Sequence, residues 1–236
     1  MGPLPQRLML VTLAIFCVFY PSLYAEICAV DDLGMYEWLA TSPPSFKDLF
    51  FPQASNGCYY RPLIGVSYLF DKYVWLMDTR LMHLDNILFH VFNTLLVYYV
   101  LTLLLPNDER QKSLIPLCAA LLFGLHPVTV ESVAWISGRT DIMACFFVLL
   151  TTAALLKYRE TGLSLFLILA PFALLLGVLF KETPLALLPG GYFILTAHLD
   201  GPKAFPSGDQ QRRDFRLTIL MAAATAIMAG SRRVSR

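Results

Sequence analysis

Charge is what this chain has least of. Asp, Glu, Lys and Arg make up 15% of its 236 residues, against about 25% in soluble domains. That shortage excludes a soluble enzyme. The signs nearly cancel, with 18 Lys and Arg against 17 Asp and Glu. No basic field is left to hold nucleic acid. Cysteine is scarce as well. Its five residues form no Cys-x-x-Cys pair and no Cys/His pair at ligand spacing, which excludes a zinc-finger framework. Internal repeats are missing, and so is any tetratricopeptide array.

Apolar residues are abundant, at 57% of the chain, and they come in blocks. A bilayer core takes about 20 apolar residues of helix. The blocks predict spans near 7–25, 84–105, 114–135, 141–157, 163–180 and 183–199, with a seventh begun near 215. The third is the weakest, because its clean apolar part runs only from Leu114 to Leu125. The expected fold is an all-α integral membrane bundle of about seven spans, the last cut short, with a long extracytoplasmic first loop. Its parts are a first span (1–25), that loop (26–83), a helical body (84–199) with motif loops at 126–141 and 181–184, and a cytoplasmic tail (200–236). A cleaved signal peptide is the alternative for 1–25. A cut after Ala25 would place Leu23 at the −3 position, where a small residue is needed.

Lys and Arg set the orientation. With the N-terminus in the cytoplasm, Arg7, Arg110, Lys112, Lys157, Arg159, Lys203, Arg212, Arg213 and Arg216 fall inside, nine residues in all. Six fall outside: Lys47, Arg61, Lys72, Arg80, Arg139 and Lys181. The first loop then faces the lumen or the periplasm. There a Cys28–Cys58 disulfide is the alternative to two free thiols. The loop is rich in aromatics, among them Trp38, Phe46, Tyr60, Tyr68 and Trp75. They suit segments lying in the membrane interface, or a small cap with its own core.

Polar groups at membrane depth are costly, so each needs a reason. In HLDNILFHVFN, His83, Asn86, His90 and Asn93 recur at i, i+3, i+7 and i+10. They share one helix face, an arc of roughly 80°. The bland reading is hydrogen-bonding glue between helices. FGLHPVTVESVAWISGRTDIM sets His126, Glu131, Arg139 and Asp141 between two apolar blocks, and Pro127 and Gly138 predict an elbow there. Arg139 and Asp141 could simply pair with each other. Lys181 and Glu182 lie between the fifth and sixth spans, and Asp31 and Asp32 follow the first. All of these map to the outer face. Carboxylates beside cations at one membrane face suit group transfer from a lipid phosphate. A carboxylate would take the proton of an acceptor hydroxyl, and cations would stabilise the departing phosphate.

These segments resemble one family. The DD pair after the first span, YYRPLIGVSYLFDKYVW, LFGLHPVTVESVAWISGRTDIMACFFVLL and KETPLALLPGGYFIL are similar to the transmembrane and tetratricopeptide-repeat (TMTC) O-mannosyltransferases and their bacterial relatives. That family belongs to the GT-C glycosyltransferases, and the likeness runs over residues 25–200. The resemblance implies an inverting transferase that takes sugar from a polyprenyl phosphate, dolichyl-phosphate mannose in eukaryotes. It implies Ser/Thr acceptors on secretory proteins and a general base at Asp31 or Asp32. Arg61, Arg139 and Lys181 are expected on the donor phosphate, with His83, Asn86, His126, Glu131, Asp141 and Glu182 as further site candidates. The membrane would be the endoplasmic reticulum in a eukaryote and the inner membrane in a bacterium. Asp31, Asp32, Glu131 and Glu182 could also hold Mg or Mn. Family members run several spans further, so a truncated chain is expected. Two other readings stay open: an inactive scaffold of the same fold, and a transporter with the His/Asn stripe as its polar track.

Overall fold

The computed structural model describes residues 4–28, 31–50, 60–106, 109–110 and 113–187. Helix and turn make up its regular structure, and no strand occurs among the described residues. The chain forms a multi-span helical membrane bundle. Three stretches are long and apolar enough to cross a bilayer: Leu4–Tyr24, Thr79–Leu104 and Ile136–Thr161. Ile115–Gly124 and Ser164–Phe180 are shorter apolar helices.

Helix α1 (Leu4–Phe19) passes into a 3-10 turn at Tyr20–Tyr24, where Pro21 ends the α ladder. It buries Arg7, Val11, Ile15 and Phe19, four residues apart along one face. Val11, Ile15 and Phe19 form a core with Ile87 and Val91 of α5 (Thr79–Leu104). The first loop folds into three short helices, α2 (Asp32–Thr41), α3 (Phe46–Phe50) and α4 (Pro62–Tyr73). Leu39, Ile64 and Tyr68 give them a small core of their own, with Phe180 packed against it. Ser45 and Asp48 cap α3 reciprocally, the Asp48 N–H on Ser45 Oγ and the Ser45 N–H on Asp48 Oδ2. The Ser45 hydroxyl also donates to Asp48 Oδ2 at 2.6 Å, and with the Ser45 N–H it holds the Asp48 carboxyl below its ordinary value.

Helix α6 (Ile115–Gly124) stops well short of the expected 114–135 span. Pro127 has no N–H to continue the ladder, and it disfavours helix at the residue before it. Ten residues at 1.5 Å each span about half the hydrocarbon core. The chain then turns through α7 (Thr129–Ala134) and a 3-10 turn (Ile136–Gly138) into α8 (Arg139–Thr161). This is the elbow that Pro127 and Gly138 predict. Gly138 has to be glycine, since a Cβ there would lie 2.5 Å from the Ser132 carbonyl oxygen. Gly162, in the left-handed region at φ 67°, ends α8. α9 (Ser164–Phe180) folds back on α8, joined through Ala154, Leu155, Tyr158, Ala170 and Leu174. Of the expected sixth span, 183–199, a 3-10 turn at Thr183–Ala186 is described. Residues 188–199, the seventh span and Cys58 with its pairing to Cys28 lie outside the described residues.

Polar contacts divide the bundle into two ends. At one end Arg110 pairs with Glu160 at 2.6 Å, Lys157 pairs with Glu160 at 2.8 Å, and Arg7 donates to the Ser113 carbonyl at 3.0 Å. The other end gathers the motif residues.

Candidate functional site

The polar stripe of α5 is a row of clasps. Asn86 Nδ2 donates to the Trp135 carbonyl at 2.7 Å, and Asn93 Nδ2 to the Ile142 carbonyl at 2.9 Å. His90 Nε2 donates to the Gly124 carbonyl at 2.9 Å. Asn86 and Asn93 therefore hold the elbow and α8, while His90 holds the end of α6. The Trp135 and Gly124 carbonyls are freed where α7 and α6 end, while the Ile142 carbonyl lies in the first turn of α8. His83, one turn nearer the motif end, differs. It is buried, neither ring nitrogen makes a hydrogen bond of good geometry, and Asp32 and Arg139 act on it electrostatically.

The two aspartates separate at the start of α2. Asp31 is exposed, and among the described residues nothing pairs with its carboxylate. Asp32 is buried at 1% exposure. Its Oδ1 accepts from the Ser137 N–H at 2.8 Å and from Ser137 Oγ at 2.5 Å. Its Oδ2 accepts from the Cys28 N–H at 3.3 Å. Asp32 therefore ties the first loop to the elbow across 105 residues of sequence.

The three expected cations are all paired. Arg61 donates to both carboxylate oxygens of Glu182, Nε to Oε2 at 3.1 Å and Nη2 to Oε1 at 2.8 Å. Lys181 pairs with Asp141, so Asp141 does not pair with Arg139. The side chains of Arg61 and Lys181 keep 23% and 21% of their surface exposed. Arg139 is enclosed at 1% exposure. It makes a 2.6 Å ion pair with Asp71 of α4, donates to the Met82 carbonyl at 3.3 Å, and lies 5.1 Å from the Tyr68 ring centroid. Burial pushes the Asp71 carboxyl up to about 7 against the pull of Arg139, and Asp85 adds to the rise. Burial also raises the Tyr68 phenol, with Arg139 and Ser137 opposing.

His126 and Glu131 sit exposed on the elbow. His126 Nδ1 accepts from the Val128 N–H at 3.2 Å, which leaves its Nε2 as the protonated, outward nitrogen. The acids do not converge on a metal. No group of three or more His, Cys, Asp or Glu side chains comes together among the described residues. Asp32 is committed to Ser137 and Glu182 to Arg61.

Asp71 and Ser137 have no part in the sequence expectations, and Tyr68 enters them only as one of the loop's aromatics. Asp71 had a signal. It follows Ile64 and Tyr68 at i+7 and i+3 on α4, so the helical period places it on the buried face. Ser137 had none, because its partner is set by a turn.

Part of the chain is similar to known proteins. Mouse protein O-mannosyl-transferase TMTC1 is 31% identical over 137 residues, which cover 52% of this chain and 14% of that protein. This chain is similar to the TMTC protein O-mannosyl-transferases. Fruit-fly Tmtc1 is 34% identical over 142 residues, covering 58% of the chain and 16% of the relative, and human TMTC3 is 32% identical over 116 residues, covering 49% and 12%. The matches thus span about a seventh of those proteins' length. The likeness is thus a partial one, to several members of that group. No family model matches the chain, and no solved structure matches it significantly.

Proposed function

We propose that this chain carries the donor-side site of an inverting, lipid-phosphate-dependent O-mannosyltransferase. The site lies at the motif end of the bundle, facing the lumen of the endoplasmic reticulum. The observation that carries the reading is the split of the acid pair. Asp32 is spent on holding the elbow, and Asp31 is left exposed beside it. The similarity to named O-mannosyl-transferases supplies the reaction class.

The step is a single displacement. Asp31 takes the proton of a Ser or Thr hydroxyl as that oxygen attacks the anomeric carbon of dolichyl-phosphate mannose. The new C–O bond forms on the face opposite the phosphate. The old bond from the anomeric carbon to the phosphate oxygen breaks, and its electron pair leaves with dolichyl phosphate. Negative charge grows on that phosphate. Lys181 and Arg61, part-exposed and at the bilayer edge, are the cations that meet it. Glu182 and Asp141 hold them in place until the phosphate arrives. His126, through Nε2, and Glu131 face the acceptor. The dolichyl tail stays in the lipid, which places the chemistry at the interface.

The test is transfer of radiolabelled mannose from dolichyl phosphate to a Ser/Thr-rich peptide by the purified chain in liposomes. Labelled glycopeptide with inverted anomeric configuration is expected. Free dolichyl-phosphate mannose as the sole labelled species after long incubation would remove the reading.

A further inference from the structure

The buried pair Asp71–Arg139 has no evident reason to be charged if it only packs α4 against α8. Taking two charges out of water costs more than pairing usually returns, and apolar residues of similar volume hold such contacts as well or better. Apolar residues, however, have no direction. Arg139 is fixed on three sides, by Asp71 Oδ2 at 2.6 Å, the Met82 carbonyl at 3.3 Å and the Tyr68 ring at 5.1 Å. Those partners come from α4 and α5. Two residues before Arg139, through Gly138, stands Ser137 with both of its contacts to Asp32 Oδ1. Asp32 in turn is the first residue of α2, and the Asp31 carbonyl accepts the Met35 N–H of that helix. An ion pair, two hydrogen bonds and the short backbone segments between them thus link Asp71 to the exposed Asp31.

We propose that Asp71 and Arg139 are positioning residues that hold the elbow, and through Ser137 and Asp32 fix the place of the Asp31 carboxylate. The proposal rests on the transfer reading above. It gives Arg139 a different task from the phosphate contact its sequence setting suggests. Its guanidinium is enclosed, and a donor phosphate could reach it only by displacing Asp71. His83 lies buried within reach of both Asp32 and Arg139, so it would feel any loosening of the chain between them.

The experiment compares the full 236-residue chain with Asp71→Asn and Ser137→Ala in liposomes, using dolichyl-phosphate mannose and a Ser/Thr-rich peptide. It has two readouts. The first is the split between kcat and the KM for donor. The second, which needs no activity, is amide hydrogen exchange over residues 31–37. Asp71→Asn is expected to lower kcat at least tenfold with donor KM within twofold, and to speed exchange over 31–37 while the α8–α9 hairpin stays protected. Ser137→Ala should shift both readouts the same way by less, and the double variant should be no worse than Asp71→Asn. If Asp71→Asn fails to insert, Ser137→Ala carries the test alone. A raised donor KM at unchanged kcat would make Arg139 a donor contact and overturn the proposal, as would unchanged exchange over 31–37. A wild-type chain without turnover would sink the transfer reading instead, and the exchange arm would still decide whether Asp71 reaches α2.

Discussion

A carboxylate that takes a proton from a hydroxyl needs a free lone pair and access to the acceptor. Asp31 is exposed with no described partner on its carboxylate, whereas Asp32 is buried and accepts three hydrogen bonds. Their adjacency in sequence hides this difference, because α2 begins between them and turns one side chain inward. The acid pair itself was legible, as were the clusters that share its end of the bundle. Which aspartate is free was not, because that depends on a turn 105 residues away. Asp71 has a consequence that can be measured at this scale. Its folded value near 7 lies above the ordinary 3.8. The folded state therefore binds the proton more tightly than the unfolded one. The stability this contributes is fully present below about pH 4 and is lost as pH rises through about 7. A thermal-unfolding series in detergent between pH 5 and pH 8 should show a downward slope that Asp71→Asn flattens.

The long elements follow from composition: α5, α8 and α9 lie where the apolar blocks predict, within a few residues at each end. The third span does not. Its apolar count ran past Gly124 because Val128, Val130 and Val133 are apolar too, but Pro127 stops the ladder before them. In the elbow that results, backbone passes close to backbone, and the glycines there are not interchangeable with those elsewhere. Gly138→Ala would press a methyl group against the Ser132 carbonyl and is expected to cost about 1–3 kcal/mol. Gly34 lies on the exposed face of α2 with nothing within 4 Å of a built Cβ. Gly34→Ala should therefore stabilise by about 0.5–1 kcal/mol. Unfolding midpoints of the two variants, measured in one detergent, check both signs. The α5 stripe shows the same limit from the other side. Its single face was legible at helical spacing, but the carbonyls that Asn86, His90 and Asn93 bond flank the elbow, at places that no periodicity marks.

The described part of the bundle gathers its ion pairs at two ends, and the ends differ in kind. One holds Arg7, Arg110, Lys157 and Glu160, tied to one another and to helix-end carbonyls. The other holds the ion-paired motif residues and the exposed Asp31. The account places these ends on opposite sides of the membrane. Cysteines introduced as Glu131→Cys and Thr161→Cys, in a chain with its native cysteines replaced, should label with impermeant maleimide from opposite sides of sealed vesicles. Labelling from the same side would break the topology on which the site depends. The central claim is narrower than topology: Asp31 does the proton transfer and Asp32 holds the site together. Its most direct test is mannose transfer from dolichyl phosphate by Asp31→Asn and Asp32→Asn, side by side, each checked for membrane insertion and thermal stability. The account predicts that Asp31→Asn keeps wild-type stability and loses transfer by at least a hundredfold, while Asp32→Asn loses stability and retains measurable transfer. Full transfer by Asp31→Asn, with transfer abolished in a stable Asp32→Asn, would contradict it.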